Sequence, residues 1–250
     1  MQTRKLRPGR AAVFALALVL AGAVTPGSPA AWAISLPGPE AFDVILTPQA
    51  PVPAAPAIAR DPLQELAVTL HHLAPGLDPR AIERALDAAK SAQARGVKVQ
   101  SDLLTVIDYT RPSWETRLWV FDTKRPRVLF SDRCAHGANT GVERAEHFSN
   151  VVGSKQTSLG LFLTGDPYVG DNGYSLRLHG LDGDLNSRAY ERAIVMHGAP
   201  YVSDEFMLMY GRIGRSWGCP AVSAELAKPL IDTIRGGSLV YAYHDANKAR

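Results

Sequence analysis

Two cysteines occur in this 250-residue chain, Cys134 and Cys219, and the second lies between a glycine and a proline in the run SWGCP, residues 216–220. A cysteine becomes a nucleophile when its thiolate is favoured, which takes a histidine or another positive partner and a place that tolerates negative charge. Gly218 lets the backbone turn tightly before the thiol. Trp217, Gly218 and Cys219 each carry an N–H that can face a developing oxyanion, whereas Pro220 has none. Ser216 is placed to brace the loop. Two other readings compete: a disulfide to Cys134, which an oxidising compartment would permit, and a buried thiol without chemistry.

A base is available in two places. His197 (AIVMHGAP) and His179 (YSLRLHGLDG) each end an apolar, strand-like run and precede a glycine. His197 is the better candidate, because the segment 199–215 can form one excursion that returns Cys219 to it. His179 then shapes the pocket or takes the base role instead. An imidazole needs one acceptor at its second nitrogen to hold the useful tautomer; Asp182, Asp184, Asp204 and the Gly198 carbonyl are candidates. His179, His197, Cys219 and a carboxylate would also be acceptable zinc ligands. The chain has no H-E-x-x-H and no paired-cysteine knuckle, and DGDLNSR lacks the glycine and distal glutamate of a calcium loop. No metal or other cofactor is expected.

Substrate would be held by the polar segment 136–158, HGANTGVERAEHFSNVVGSKQTS, which includes Ser149 and Asn150. Arg212 and Arg215 flank the turn before the cysteine and can pair with a carboxylate. Tyr168, Tyr174, Tyr201 and Trp217 can line a cleft or pack a core.

The elements that must position these groups are mostly strands. LLTVIDYT, RLWVFDT, RVLFSDR, LGLFLTG, YSLRLHG, AIVMHGA and GSLVYAYH are short, β-branched and aromatic. One helix is predicted near 223–235, with Ser223 as its cap and Gly236-Gly237 as its end. Ahead of the strands, Asp61-Pro62 and Asp78-Pro79 each start a helix; in the second, Ile82, Ala85, Leu86 and Ala89 share one face. The fold class is mainly β, a sandwich or barrel-like domain over 99–250 with a helical pair at 61–98.

The first ten residues carry four basic side chains and no acid, and the apolar run AAVFALALVLAGAV follows. With AWA at 31–33 this predicts a signal peptide, cleaved near Ala33, and export to the periplasm or cell-wall space. A Pro/Ala-rich linker spans 34–60, within which FDVIL could dock as an edge strand. Of 27 basic residues, the leader holds Arg4, Lys5, Arg7 and Arg10, leaving 23 against 24 acidic ones. That balance argues against a nucleic-acid partner.

With MHGAP and RSWGCP together, the chain resembles the YkuD-type L,D-transpeptidases, in the branch carrying an S-x-G-C-P motif, over about 100–244. The resemblance implies a β-rich cysteine enzyme acting on peptidoglycan stem peptides. Cys219 would attack a stem carbonyl, His197 would relay the proton, the Gly198 carbonyl would orient the ring, and the backbone at 217–219 would hold the oxyanion. The acyl-enzyme would pass to an amine, as a transpeptidase, or to water, as a carboxypeptidase or endopeptidase. Carbapenem-type β-lactams would acylate it. A non-catalytic wall-binding domain is the alternative of a different class. The chain departs from the commoner motif at Trp217, where His or Arg is usual, and at Pro220-Ala221; Arg212 or Arg215 would supply the lost charge.

Overall fold

A computed structural model describes residues 61–246. The expected leader, the Pro/Ala-rich segment and its FDVIL run lie outside the described residues. Helices α1 (Pro62–Leu73) and α2 (Pro79–Ala94) start as the Asp-Pro pairs predict. The Asp61 carboxylate accepts from the Leu63 amide and Asp78 from the Arg80 amide, satisfying first-turn donors that would otherwise lack partners. Ile82, Ala85 and Leu86 are buried, with Ala89 at the margin of the same core.

Eight strands form one sheet: β1 (Leu103–Asp108), β2 (Leu118–Asp122), β3 (Arg127–Asp132), β4 (Gly160–Gly170), β5 (Gly173–Gly180), β6 (Val195–Gly198), β7 (Ala221–Val222) and β8 (Leu239–Tyr243). Their spatial order is β3-β2-β1-β8-β4-β5-β6-β7. The β1–β8 and β6–β7 pairs are parallel and the rest antiparallel. Just past β3, Ala135 bridges to Ala221 of β7, and the Asp132 carboxylate accepts from both the amide and the hydroxyl of Ser223. These contacts bring the two sheet edges together into a nearly closed, barrel-like body rather than a two-sheet sandwich.

Strand β8 shows the layering. Leu239, Tyr241 and Tyr243 join one core, with α1 and α2, while Val240 and Ala242 join the other, because successive side chains face opposite sides. The second core holds Cys134, Cys219, Leu176, Met196 and the apolar face of α5 (Ala224–Ile234). Here the expected cap is corrected. Ser223 makes no capping bond to α5, because its hydroxyl donates to Asp132 at 2.7 Å. Three elements were not predicted: α3 (Gly183–Asn186), α4 (Asp204–Tyr210) and the two-residue β7. α4 has no buried residue, so its sequence carries no apolar stripe against a core.

Candidate active site

His197 lies on β6 opposite Ser175 of β5 on one side and Ala221 of β7 on the other. Cys219 enters two residues before Ala221, so the short parallel β6–β7 pair sets the cysteine turn beside the histidine strand. Gly198 is required for a packing reason: a Cβ there would lie 2.7 Å from the Ala227 Cβ of α5. The helix therefore backs directly onto the strand that carries the ring.

The imidazole is oriented by its own neighbour. Nδ1 lies 3.0 Å from the Gly198 carbonyl, and a carbonyl only accepts, so Nδ1 holds the proton and Nε2 keeps its lone pair. Burial pushes the ring below the ordinary histidine range, and the Gly198 bond restores part of it. The three aspartates considered as orienters are elsewhere. Asp182 accepts from the Leu161 amide, Asp204 pairs with Arg133, and Asp184 lines a pocket with Glu146 and Asn150.

Cys219 is 9% exposed. Its Sγ donates to the Ala193 carbonyl at 3.6 Å, from a residue held at φ 52°, a conformation uncommon outside glycine. Burial pushes the thiol up, while the Val195 amide and the Arg192 guanidinium pull it down. Thiol and imidazole share no hydrogen bond among the described residues. At rest the pair is a neutral thiol and a neutral ring, and proton transfer requires Sγ to leave Ala193.

Ser216 braces the turn, and in doing so removes one expected oxyanion donor. Its hydroxyl donates to the Cys219 carbonyl at 2.6 Å and accepts from the Gly218 amide at 3.1 Å. The amides of Trp217 and Cys219 have no hydrogen-bond partner among the described residues, and these two can face an oxyanion. Gly218 stands at φ 122°, and a Cβ on it would meet the Gln156 carbonyl at 2.7 Å, so both conformation and space demand glycine. Trp217 is 75% exposed, with the Lys155 ammonium 4.5 Å from its ring centroid.

The remaining candidates separate. Tyr201 is close enough that negative charge on either cysteine, after burial, helps push its phenol up to about 12. His179 stacks on Tyr190, four residues from Ser175 and so ~13 Å along β5 from the His197 register. It neither shares the base role by position nor joins His197 and Cys219 as a ligand set; no cluster of three metal-ligating side chains forms among the described residues. Arg212 donates to the Ile213 carbonyl, and Arg215 to those of Ala138 and Gly141. Both brace loops through one Nη group each. Ser149 and Asn150 line a pocket of ≈ 550 Å³ with Glu146, Phe148, Gln156 and Asp184. Tyr168 lies under Arg177, and Tyr174 donates to Asp232.

Sequence reasoning missed Arg192 and Gln156. The signal for Arg192 was an arginine directly before the apolar run that bears the histidine. Gln156 gave none, since its carbonyl matters only through folding of a loop distant in the chain.

A profile of the L,D-transpeptidase catalytic domain matches residues 73–243, a range that includes α2, which the resemblance had left outside. No curated protein matches the chain. Among solved structures, the helical cell shape determining protein Pgp2 from Campylobacter jejuni shares 13% identity, covering 59% of this chain and 49% of that one, at a TM-score of 0.40. An L,D-transpeptidase from Mycobacterium smegmatis shares 15%, covering 58% and 59%, at 0.35. The L,D-transpeptidase from Xylanimonas cellulosilytica also shares 15%, covering 74% and 94%, at 0.37. The chain thus spans about half the length of the Campylobacter protein.

Proposed function

The chain belongs to the L,D-transpeptidase catalytic-domain family, and from that premise we propose that it is an exported cysteine acyltransferase acting on peptidoglycan stem peptides. The observation that carries this reading is the His197 ring. Its Nδ1–H is committed to the Gly198 carbonyl, so Nε2 is a base on the strand beside the Cys219 turn.

In the proposed reaction Cys219 Sγ leaves the Ala193 carbonyl and gives its proton to His197 Nε2 as sulfur bonds to a stem carbonyl carbon. The oxyanion forms against the Trp217 and Cys219 amides. Collapse breaks the C–N bond, and the imidazolium returns its proton to the departing amine, leaving a thioester. An acceptor amine then attacks the thioester, loses its proton to His197, and releases the thiol as a new amide forms. Water in place of the amine gives trimming. Burial of His197 favours the neutral ring at both points where it must accept a proton. A carbapenem-type β-lactam would stop at the acylated cysteine.

The test is incubation of the protein lacking residues 1–33 with defined tetrapeptide and pentapeptide muropeptides, followed by intact-mass analysis. A stem-peptide adduct on Cys219, with cross-linked product, supports the transpeptidase. Trimmed product alone makes it a hydrolase, and muropeptide binding without adduct or product, unchanged in Cys219→Ala, makes it a binding domain.

A further inference from the structure

Arg192 is a half-buried arginine whose partners are all neutral. Its guanidinium donates to the carbonyls of Ser149 and Gln156, each at 2.5 Å, to the Ser154 hydroxyl at 3.2 Å, and to the Ser158 hydroxyl. No carboxylate pairs with it among the described residues. Taking a charge out of water is costly unless an opposite charge answers it, and neutral acceptors answer only its hydrogen bonds. The other side of the guanidinium faces the cysteine turn. A Cβ built on Gly218 would lie 3.2 Å from Arg192 Nη2. The next residue, Ala193, offers the carbonyl that receives the Cys219 thiol. One short segment therefore supplies both the resting acceptor of the S–H and a cation beside the turn.

We infer that Arg192 is the positive partner of the Cys219 thiolate, a positioning residue that sets how readily the sulfur ionises while its four bonds fix loop 149–158 over Gly218. The assignment is to the position that the sequence left without an answer. Trp217 carries no charge, Arg212 and Arg215 are turned to loop carbonyls, and His197, held neutral by burial, takes the proton without supplying a standing charge. Tyr109 and Tyr201 also sense a Cys219 thiolate but are kept neutral by burial, which pushes both phenols up; with no carboxylate paired to Arg192 among the described residues, the cation is uncompensated at rest and compensated once sulfur ionises. The mutual influence runs the same way, since a Cys219 thiolate pulls the Arg192 pKa back up against its burial.

This inference rests on the reading of Cys219 as the nucleophile, but its test needs no substrate. The rate of iodoacetamide alkylation is measured against pH on the protein lacking residues 1–33, with intact mass counting adducts and thermal melting checking the fold. Cys134 stays silent, being fully buried with its thiol pushed up to about 12. Arg192→Gln is expected to raise the alkylation midpoint by about one pH unit, slowing labelling ~10-fold below it, because a cation within reach lowers a thiol by that order. Arg192→Lys keeps the charge and loses the planar fork, so its midpoint stays within a few tenths of the parent. Should Arg192→Gln fail to fold, Ser154→Asp sets a carboxylate against the same guanidinium and raises the midpoint, whereas Ser154→Asn does not. An unmoved midpoint in folded Arg192→Gln or in Ser154→Asp overturns the inference, as does an Arg192→Lys shift as large as that of glutamine. A shifted midpoint in a protein with no turnover keeps this inference and rejects the enzymatic reading instead.

Discussion

The molecule contains two sets of one cysteine, one histidine and one arginine, and they are wired differently. In the first, Arg117 is fully buried and donates to the Cys134 carbonyl at 2.6 Å and to His136 Nδ1 at 2.9 Å. A guanidinium only donates, so Nδ1 accepts, and Nε2 must carry the proton it directs at the Gly141 carbonyl. Both ring nitrogens are engaged, and burial, ahead of the Arg117 charge, holds the ring down to about 3. In the second set Arg192 bonds to loop oxygens, His197 uses only Nδ1, and Cys219 keeps an exposed edge. The difference teaches that composition does not make a reactive site. Open positions at the ring and the turn do: His136 has both ring nitrogens engaged, whereas the second set retains a ring nitrogen and, among the described residues, two unpartnered amides.

The largest effect that sharpens this contrast is at sulfur. Cys219→Ala should abolish turnover and β-lactam labelling, a loss of at least about a thousandfold, while Cys134→Ala keeps both and lowers stability by ~1–2 kcal/mol in urea melts. Equal loss of turnover in the two would break the comparison. Exchange of the histidines comes next. His197→Ala should cut kcat/KM by roughly 10²–10⁴ with little change in Tm. His136→Ala should do the reverse, leaving buried Arg117 donors without a partner at a cost of ~1–3 kcal/mol.

Proton linkage separates the two rings further. In the unfolded chain His136 titrates near 6.5, and in the folded one at about 3. Between these values the unfolded state binds the extra proton, so stability should fall as pH drops through that window, by up to ~1.4 kcal/mol per pH unit. The slope should shrink in His136→Gln. His197 is also depressed by burial, so the acid limb of kcat/KM should lie below the ordinary histidine range, and a limb at or above pH ~6.5 would contradict a neutral resting ring. A last effect, on stability alone, is expected at the strand–helix contact. Gly198→Ala should cost ~1–3 kcal/mol through its clash with Ala227, and Ala227→Gly in the same chain should recover part of it.

Much of the scaffold was legible because its signals are local. Asp61-Pro62 and Asp78-Pro79 specify helix starts within three residues, and the β-branched runs mark seven of the eight strands. Local chemistry also pointed to Ser216 as the brace of the cysteine turn and to the Gly198 carbonyl among the ring's possible acceptors. What was not legible depends on distant chain. Ser223 looked like a helix cap until Asp132, 91 residues earlier, took its hydroxyl. Gly218 looked necessary only for a tight turn until the Gln156 carbonyl, 62 residues earlier, took the space of a Cβ. Arg192 gave no signal as a neighbour of the cysteine turn, because it is set in place there by carbonyls 36 and 43 residues before it.

Helix α4 lies between the histidine strand and the cysteine turn, buries none of its side chains, and leaves Leu208, Met209 and Tyr210 in solvent. The β6–β7 register, not this helix, sets His197 against the strand that follows Cys219. Changes on the exposed side chains of this helix are therefore expected to leave the placement of His197 and of the Cys219 turn as it is. A new binding segment grafted onto its solvent-facing side would sit beside the site without carrying any of the residues that build it.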